Sequence, residues 1–390
     1  NTPIVFRITS YDKPAVVTIQ APANASFVPI VINLPSNSTI TQDITAYLNI
    51  IESKPSGTVL NTGIKITATA NISAYYEVGR SLNPEIFPLK GNSAKGNSFI
   101  IPSQNQYNNQ TTITPVANNG FVIVATEDNT NVTINLTQAD GNGHPAGTFT
   151  ITLNKGQSYV VVGASTNGFA HLGGTMVSSN KAICITIYDD SIIVGTSWDL
   201  VGDQIVPIIN TGTEFIIVRG ALNPPSTPNT DTYYVYATED GTAIYEYGSS
   251  VASATINKGN FYKGSLSSSS VYITSSKPVY VLQLTGVGTE AAETSLPSIK
   301  CTGSNSVSFV RSTNEAFYLN IICKTEDVDN FALNGVTGII NASLFSDVPG
   351  NSAWKAARIS TASLPNLNSL IPNGVATAVT NSSGLFHLGF

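Results

Sequence analysis

Apolar and polar residues alternate with a period of two along most of this chain, as in Asn131-Val132-Thr133-Ile134-Asn135-Leu136-Thr137 and Thr148-Phe149-Thr150-Ile151-Thr152-Leu153-Asn154. That period turns every second side chain inward and predicts half-buried β-strands, whereas the helical period is nearly absent. Residues 138–145, Gln-Ala-Asp-Gly-Asn-Gly-His-Pro, have turn chemistry and join these two strands into a hairpin.

The same local pattern then recurs. Phe121-Val122-Ile123-Val124-Ala125-Thr126-Glu127-Asp128 matches Tyr233-Tyr234-Val235-Tyr236-Ala237-Thr238-Glu239-Asp240 and, more loosely, residues 319–327, which end in Thr325-Glu326-Asp327. Residues 5–12 are a weaker fourth copy. A second marker follows in order, Asn154-Lys155-Gly156 and Asn257-Lys258-Gly259, and then a third, Ser178-Ser179-Asn180-Lys181-Ala182-Ile183 against Thr274-Ser275-Ser276-Lys277-Pro278-Val279. Markers repeated in the same order indicate an internally repeated architecture.

Each copy opens on a further marker at residues 96–101, 212–217 and 304–310, preceded by a Pro-containing apolar stretch. The expected fold is all-β, with tandem β-sandwich (Ig-like) units of about 90–115 residues. The expected units are 1–95, 96–211, 212–303 and 304–390. The first is expected to lack its opening strand and the last to be truncated, so the chain is expected to belong to a longer protein. A β-propeller, with two blades per unit, is the alternative. It is less favoured because the repeats do not subdivide.

Only 11% of the 390 residues are Asp, Glu, Lys or Arg, against roughly 25% in ordinary soluble domains. Thr, Ser and Asn supply the surface instead, which suits solvent-facing strand positions of secreted bacterial β-proteins. A net charge of −6 with no Lys/Arg cluster excludes nucleic acid as a main partner. No apolar run is long enough to span a membrane as a helix.

Several residues are candidates for chemistry. Glu127, Asp128, Glu239, Asp240, Glu326 and Asp327, at strand ends, are candidate Ca²⁺ ligands. The competing reading, an Asp that caps its own turn, is preferred because no dense acidic loop follows. Trp198, Tyr233, Tyr234, Tyr236, Tyr245 and Tyr247 are candidate ligand-binding aromatics, with cross-strand packing as the competing role. Cys301 and Cys323 flank two predicted strands and form a candidate disulfide, while Cys184 between Ile183 and Ile185 reads as a small buried hydrophobe. His144, His171 and His387 lack metal-ligand spacing and read as packed or rim residues. No nucleophile elbow, phosphate loop or dinucleotide fingerprint is present, so no enzyme and no cofactor is expected.

Residues 72–78 (Ile-Ser-Ala-Tyr-Tyr-Glu-Val), 83–91 (Asn-Pro-Glu-Ile-Phe-Pro-Leu-Lys-Gly), 201–207 (Val-Gly-Asp-Gln-Ile-Val-Pro) and 299–304 (Ile-Lys-Cys-Thr-Gly-Ser) resemble the IgGFc-binding-protein N-terminal domain family as it occurs in Bacteroidota surface proteins. That resemblance implies a type IX-secreted, gliding-motility-associated or PKD-type cell-surface adhesin on the outer-membrane exterior. Asp190-Ser191-Ile192 resembles the short O-glycosylation pattern of that phylum, which makes Ser191 a candidate acceptor.

Together these features point to a non-catalytic extracellular adhesion module. Its expected partners are a protein or glycan ligand and other domains of the same larger chain. A purely structural stalk or fibre segment and a carbohydrate-binding or carbohydrate-active protein are the alternatives. The last survives because a glycosidase needs only two carboxylates, with no local signature.

Overall fold

The computed structural model describes residues 2–79, 84–223, 231–300 and 302–390. Strand makes up 52% and helix 7%, and the α-helices at Leu48–Ile51 and Leu367–Leu370 are single turns. The fold is therefore all-β. The chain forms two compact units divided between Thr211 and Gly212, except that Gly259–Phe261 and Glu290–Ser295 belong to the first.

The first unit begins with two sheets packed over one core. One runs in the order Thr39–Asp43, Ile4–Ser10, Ile72–Val78, Glu85–Leu89, and the other in the order Ile30–Leu34, Ala15–Gln20, Lys65–Ala68. Alternation along Ala15–Gln20 sends Ala15, Val17 and Ile19 inward, where they meet Phe6, Ile8 and Ile32 from the neighbouring strands.

The rest of the unit is built on one long strand, Met176–Val194, of 19 residues. Its first part pairs with Thr130–Leu136 and Gly96–Ile100, and its later part with Asn119–Ala125 and Ser197–Ile205. A register shift between Ser178 and Ile183 separates the two parts. Such an irregularity lets one strand bend from one layer to the next.

The second unit repeats this plan. Ser270–Gly288, also 19 residues, pairs first with Gly212–Val218 and Thr242–Glu246 and then with Thr232–Ala237. Strand order is the same in both sheets: Gly147–Leu153, Thr130–Leu136, Met176–Val194, Asn119–Ala125, Ser158–Val162 corresponds to Ala254–Ile256, Thr242–Glu246, Ser270–Gly288, Thr232–Ala237, Phe261–Ser265. Phe215, Ile217 and Ile273 from one half of the second sheet and Val235, Val279 and Val281 from the other share a core.

A final pair of four-stranded sheets closes the second unit, one centred on Ala376–Asn381 and the other on Asn351–Ile359 and Leu319–Lys324. Phe331, Leu333 and Val379 from the first meet Leu319, Ile321, Ile359 and Phe386 from the second.

Candidate functional site

The three repeated markers fold together into one hydrogen-bonded turn. In the first unit Asp128 Oδ1 accepts the Lys155 backbone N–H at 3.0 Å, and Lys181 Nζ donates to the Asp128 carbonyl at 2.6 Å. Thr126 Oγ1 donates to the Ala182 carbonyl at 2.6 Å, and Asn154 Oδ1 accepts from the Asn129 N–H at 3.0 Å. The second unit repeats each bond: Asp240 with Lys258 N–H at 3.0 Å, Lys277 Nζ with the Asp240 carbonyl at 2.6 Å, Thr238 with the Pro278 carbonyl at 2.6 Å, and Asn257 with Gly241 N–H at 3.1 Å. Asn129 and Gly241 both take left-handed backbone, with φ of 54° and 64°, which Asn and Gly adopt at least cost.

These turns leave Glu127, Glu239 and Glu326 exposed. Asp327 differs from its counterparts: it is buried and accepts the Ser383 hydroxyl at 2.6 Å. Among the described residues no group of three His, Cys, Asp or Glu is arranged to hold a metal ion. Asp128→Ala and Asp240→Ala are each expected to cost about 1 kcal/mol through the lost bond to a backbone N–H, read from urea unfolding midpoints. Chelator is expected to leave the melting temperature unchanged; a drop reversed by Ca²⁺ would return the carboxylates to a ligand role.

The other candidates separate. Tyr233, Tyr234 and Tyr236 are not available to a ligand. All six residues of Thr232–Ala237 are buried, because this strand has no solvent face. Tyr233 instead donates to Glu246, as does Tyr262 at 2.8 Å. Tyr245 is half-buried opposite Thr274. Trp198 and Tyr247 are exposed, at 45% and 38%.

Ser191, the candidate glycan acceptor, has little exposure in this fold. It is buried at a bulge in the long strand, and its hydroxyl donates to Asp190 Oδ1 at 2.9 Å. Cys184 is half-buried rather than buried, since the strand sends Ile183 and Ile185 to the core and Cys184 to the other face. Burial still pushes its thiol up to about 11. Cys323 is a buried free thiol, pushed up to about 12; its candidate partner Cys301 lies outside the described residues.

Each histidine has packing partners. His144 Nδ1 meets Asp140 Oδ2 at 2.7 Å, and its ring stacks on Phe149 with centroids 3.9 Å apart. His171 is buried beside Asp189, at 3.2 Å, and Asn109, at 2.9 Å. Burial draws His387 down to about 4.

Sequence reasoning missed a charged group that the fold assembles inside the first unit. Residues 84–91 and 201–207 carry it, and they pack together because Glu85–Leu89 lies against Ser197–Ile205. Lys90 N–H donates to Gln204 Oε1 at 2.7 Å, and Lys90 Nζ meets Asp203 Oδ2 at 2.7 Å. Gly202 makes this approach possible: a Cβ there would sit 2.7 Å from the Phe87 ring and against the Ile187 carbonyl.

Two more carboxyls lie close to that pair. Glu293, buried on Glu290–Leu296, is raised well above the ordinary glutamate range by desolvation and then by Asp189, Asp203 and Glu85. Glu85 is raised likewise, by burial and by Asp199 and Asp203. Asp203 Oδ1 and Glu293 Oε2 are buried and have no hydrogen-bond partner. A sequence signal existed for Glu85, Lys90 and Asp203, which lie in the segments 83–91 and 201–207 that carry the family resemblance, but not for Glu293, which stands in a segment without a motif.

No curated protein matches the chain. Its sequence matches the family described as IgGFc binding protein over residues 87–388, from the strand that precedes Lys90 to the final strand. The hairpin, the Gly202 approach and the repeated turns all fall largely within that span, and the chain belongs to the IgGFc binding protein family.

Proposed function

We propose that this chain is a non-catalytic binding module on the outside of a bacterial cell, one segment of a larger secreted adhesin. In this reading the units 1–95, 96–211, 212–303 and 304–390 are repeats of one β plan, and the ligand is a protein or a glycan. The observation that carries it is the family match over residues 87–388. An IgG Fc fragment, the ligand in the family's description, is therefore the first probe to test.

Two further features support the reading. In the first two copies of the Thr-Glu-Asp marker the Thr and Asp side chains bond backbone atoms around their own turn, a structural use that accounts for their recurrence. Trp198 offers a rigid, exposed aromatic surface of the kind that anchors protein and sugar ligands.

The test is a screen of the folded chain against Fc and against arrays of extracellular proteins and glycans. A saturable hit is expected, and Trp198→Ala is expected to weaken it about tenfold or more, as loss of an aromatic anchor does. A chain with no saturable partner is a stalk. A hit indifferent to Trp198→Ala places the contact on another face.

A further inference from the structure

We propose that Lys90 and Asp203 join covalently, forming an amide between the lysine Nζ and the aspartate Cγ. The pair meets the demands of that reaction by geometry. Lys90 Nζ lies 2.7 Å from Asp203 Oδ2, and the Asp203 side chain is almost fully excluded from solvent. Proximity of this kind replaces a bimolecular encounter with a unimolecular step.

The two oxygens of Asp203 have different surroundings. Oδ2 accepts the Ser295 N–H at 2.9 Å and the Thr294 hydroxyl at 3.3 Å, besides the Lys90 ammonium. Donors fixed on one oxygen polarise the carbonyl and hold the negative charge that develops there when nitrogen adds. Oδ1 is buried with no partner, so it is the oxygen free to leave. Glu293, whose Oε2 is also buried and unpartnered, lies near enough to Asp203 for the two carboxyls to interact electrostatically. Burial and the surrounding carboxylates raise the Glu293 carboxyl well above the ordinary glutamate range, a direction that suits a proton relay in a site closed to water.

The step balances without any other reactant. Glu293 passes its proton to Asp203 Oδ1 and regains one from the Lys90 ammonium. The freed nitrogen lone pair attacks Cγ, and the N–C bond forms as the C–Oδ1 bond breaks. The added nitrogen gives up a second proton through the same relay, so Oδ1 departs as water carrying the proton first held by Glu293 and one first held on nitrogen, and Glu293 ends protonated by the other nitrogen proton. No oxidation or reduction occurs. The product ties the end of the Glu85–Leu89 strand to Ser197–Ile205 within the first unit, a closure that stiffens the fold as other long-range cross-links do.

The test is the mass of the purified full chain. Wild type is expected to weigh one water less than its sequence. Trypsin is expected to spare Lys90 and release a branched peptide joining the Lys90 and Asp203 segments. Lys90→Arg, which keeps the charge but is not acylated by the aspartate, and Asp203→Ala are each expected to restore the full mass. Glu293→Gln is expected to leave a large unlinked fraction in protein whose circular dichroism is unchanged. A linear peptide pair in folded wild type overturns the proposal, and so does loss of water confined to a linear Asp203 peptide, the mark of succinimide formation.

Discussion

Replacing Glu293 with glutamine is expected to raise the melting temperature at about pH 8 and to change little at acid pH, below the ordinary glutamate value of 4.5. Glu293 is buried among carboxylates, and its folded-state pKa lies well above that of an unfolded glutamate. Below both values the carboxyl is protonated in either state and costs nothing. As pH rises past 4.5, the unfolded chain releases this proton while the folded chain keeps it, so the folded state loses ground. The loss is roughly 1 kcal/mol per pH unit until pH reaches the folded-state value. Glutamine fills the same space without titrating and removes that loss. Both proteins should carry Lys90→Arg, so that any change in the state of the Lys90 amine is kept out of the comparison. A melting temperature that rises with pH equally in both proteins would show that Glu293 ionises freely in the fold.

Phe331→Ala is expected to destabilise the second unit by about 3–5 kcal/mol, the range for deleting a large side chain from a packed core. Phe331 is fully buried where the two sheets of the final sandwich meet. Its ring lies 5.6 Å from that of Phe345 and 5.1 Å, edge-on, from that of Phe386, centroid to centroid. Its surroundings are other core side chains, among them Leu319, Ile321 and Val379, and an interior packed this closely relaxes only partly into a cavity. Urea unfolding should show a lower midpoint with an unchanged slope. A loss under about 1 kcal/mol would show that the final sandwich repacks around the gap.

Much of the fold can be read from local pattern, and the reasons are visible residue by residue. Alternation along Thr130–Leu136 predicts the half-buried strand that is found, with Val132, Ile134 and Leu136 inward. The repeated markers are equally legible, because a turn that closes on itself needs its partners within one hairpin or its neighbour. Asp128 with Lys155 and Asp240 with Lys258 are such pairs.

What escapes local reading depends on contacts far along the chain. Nothing in Tyr233-Tyr234-Val235-Tyr236 states that both faces of its strand are covered, so a core segment reads as binding equipment. Ser191 sits in a plausible surface motif, yet a bulge and a left-handed φ of 47° fold it inward. Lys90, Asp203 and Glu293 come from three separate segments of the first unit. Their meeting is fixed by sheet packing, for which no spacing rule exists.

The most direct test that this chain works by binding is a titration of the folded protein with the Fc fragment and with each array hit. The ligand should then be recovered and weighed. The proposed function predicts a saturable isotherm at fixed stoichiometry, weakened by Trp198→Ala, with ligand returned chemically unchanged. Ligand returned cleaved, or no saturable isotherm with any probe, would contradict it.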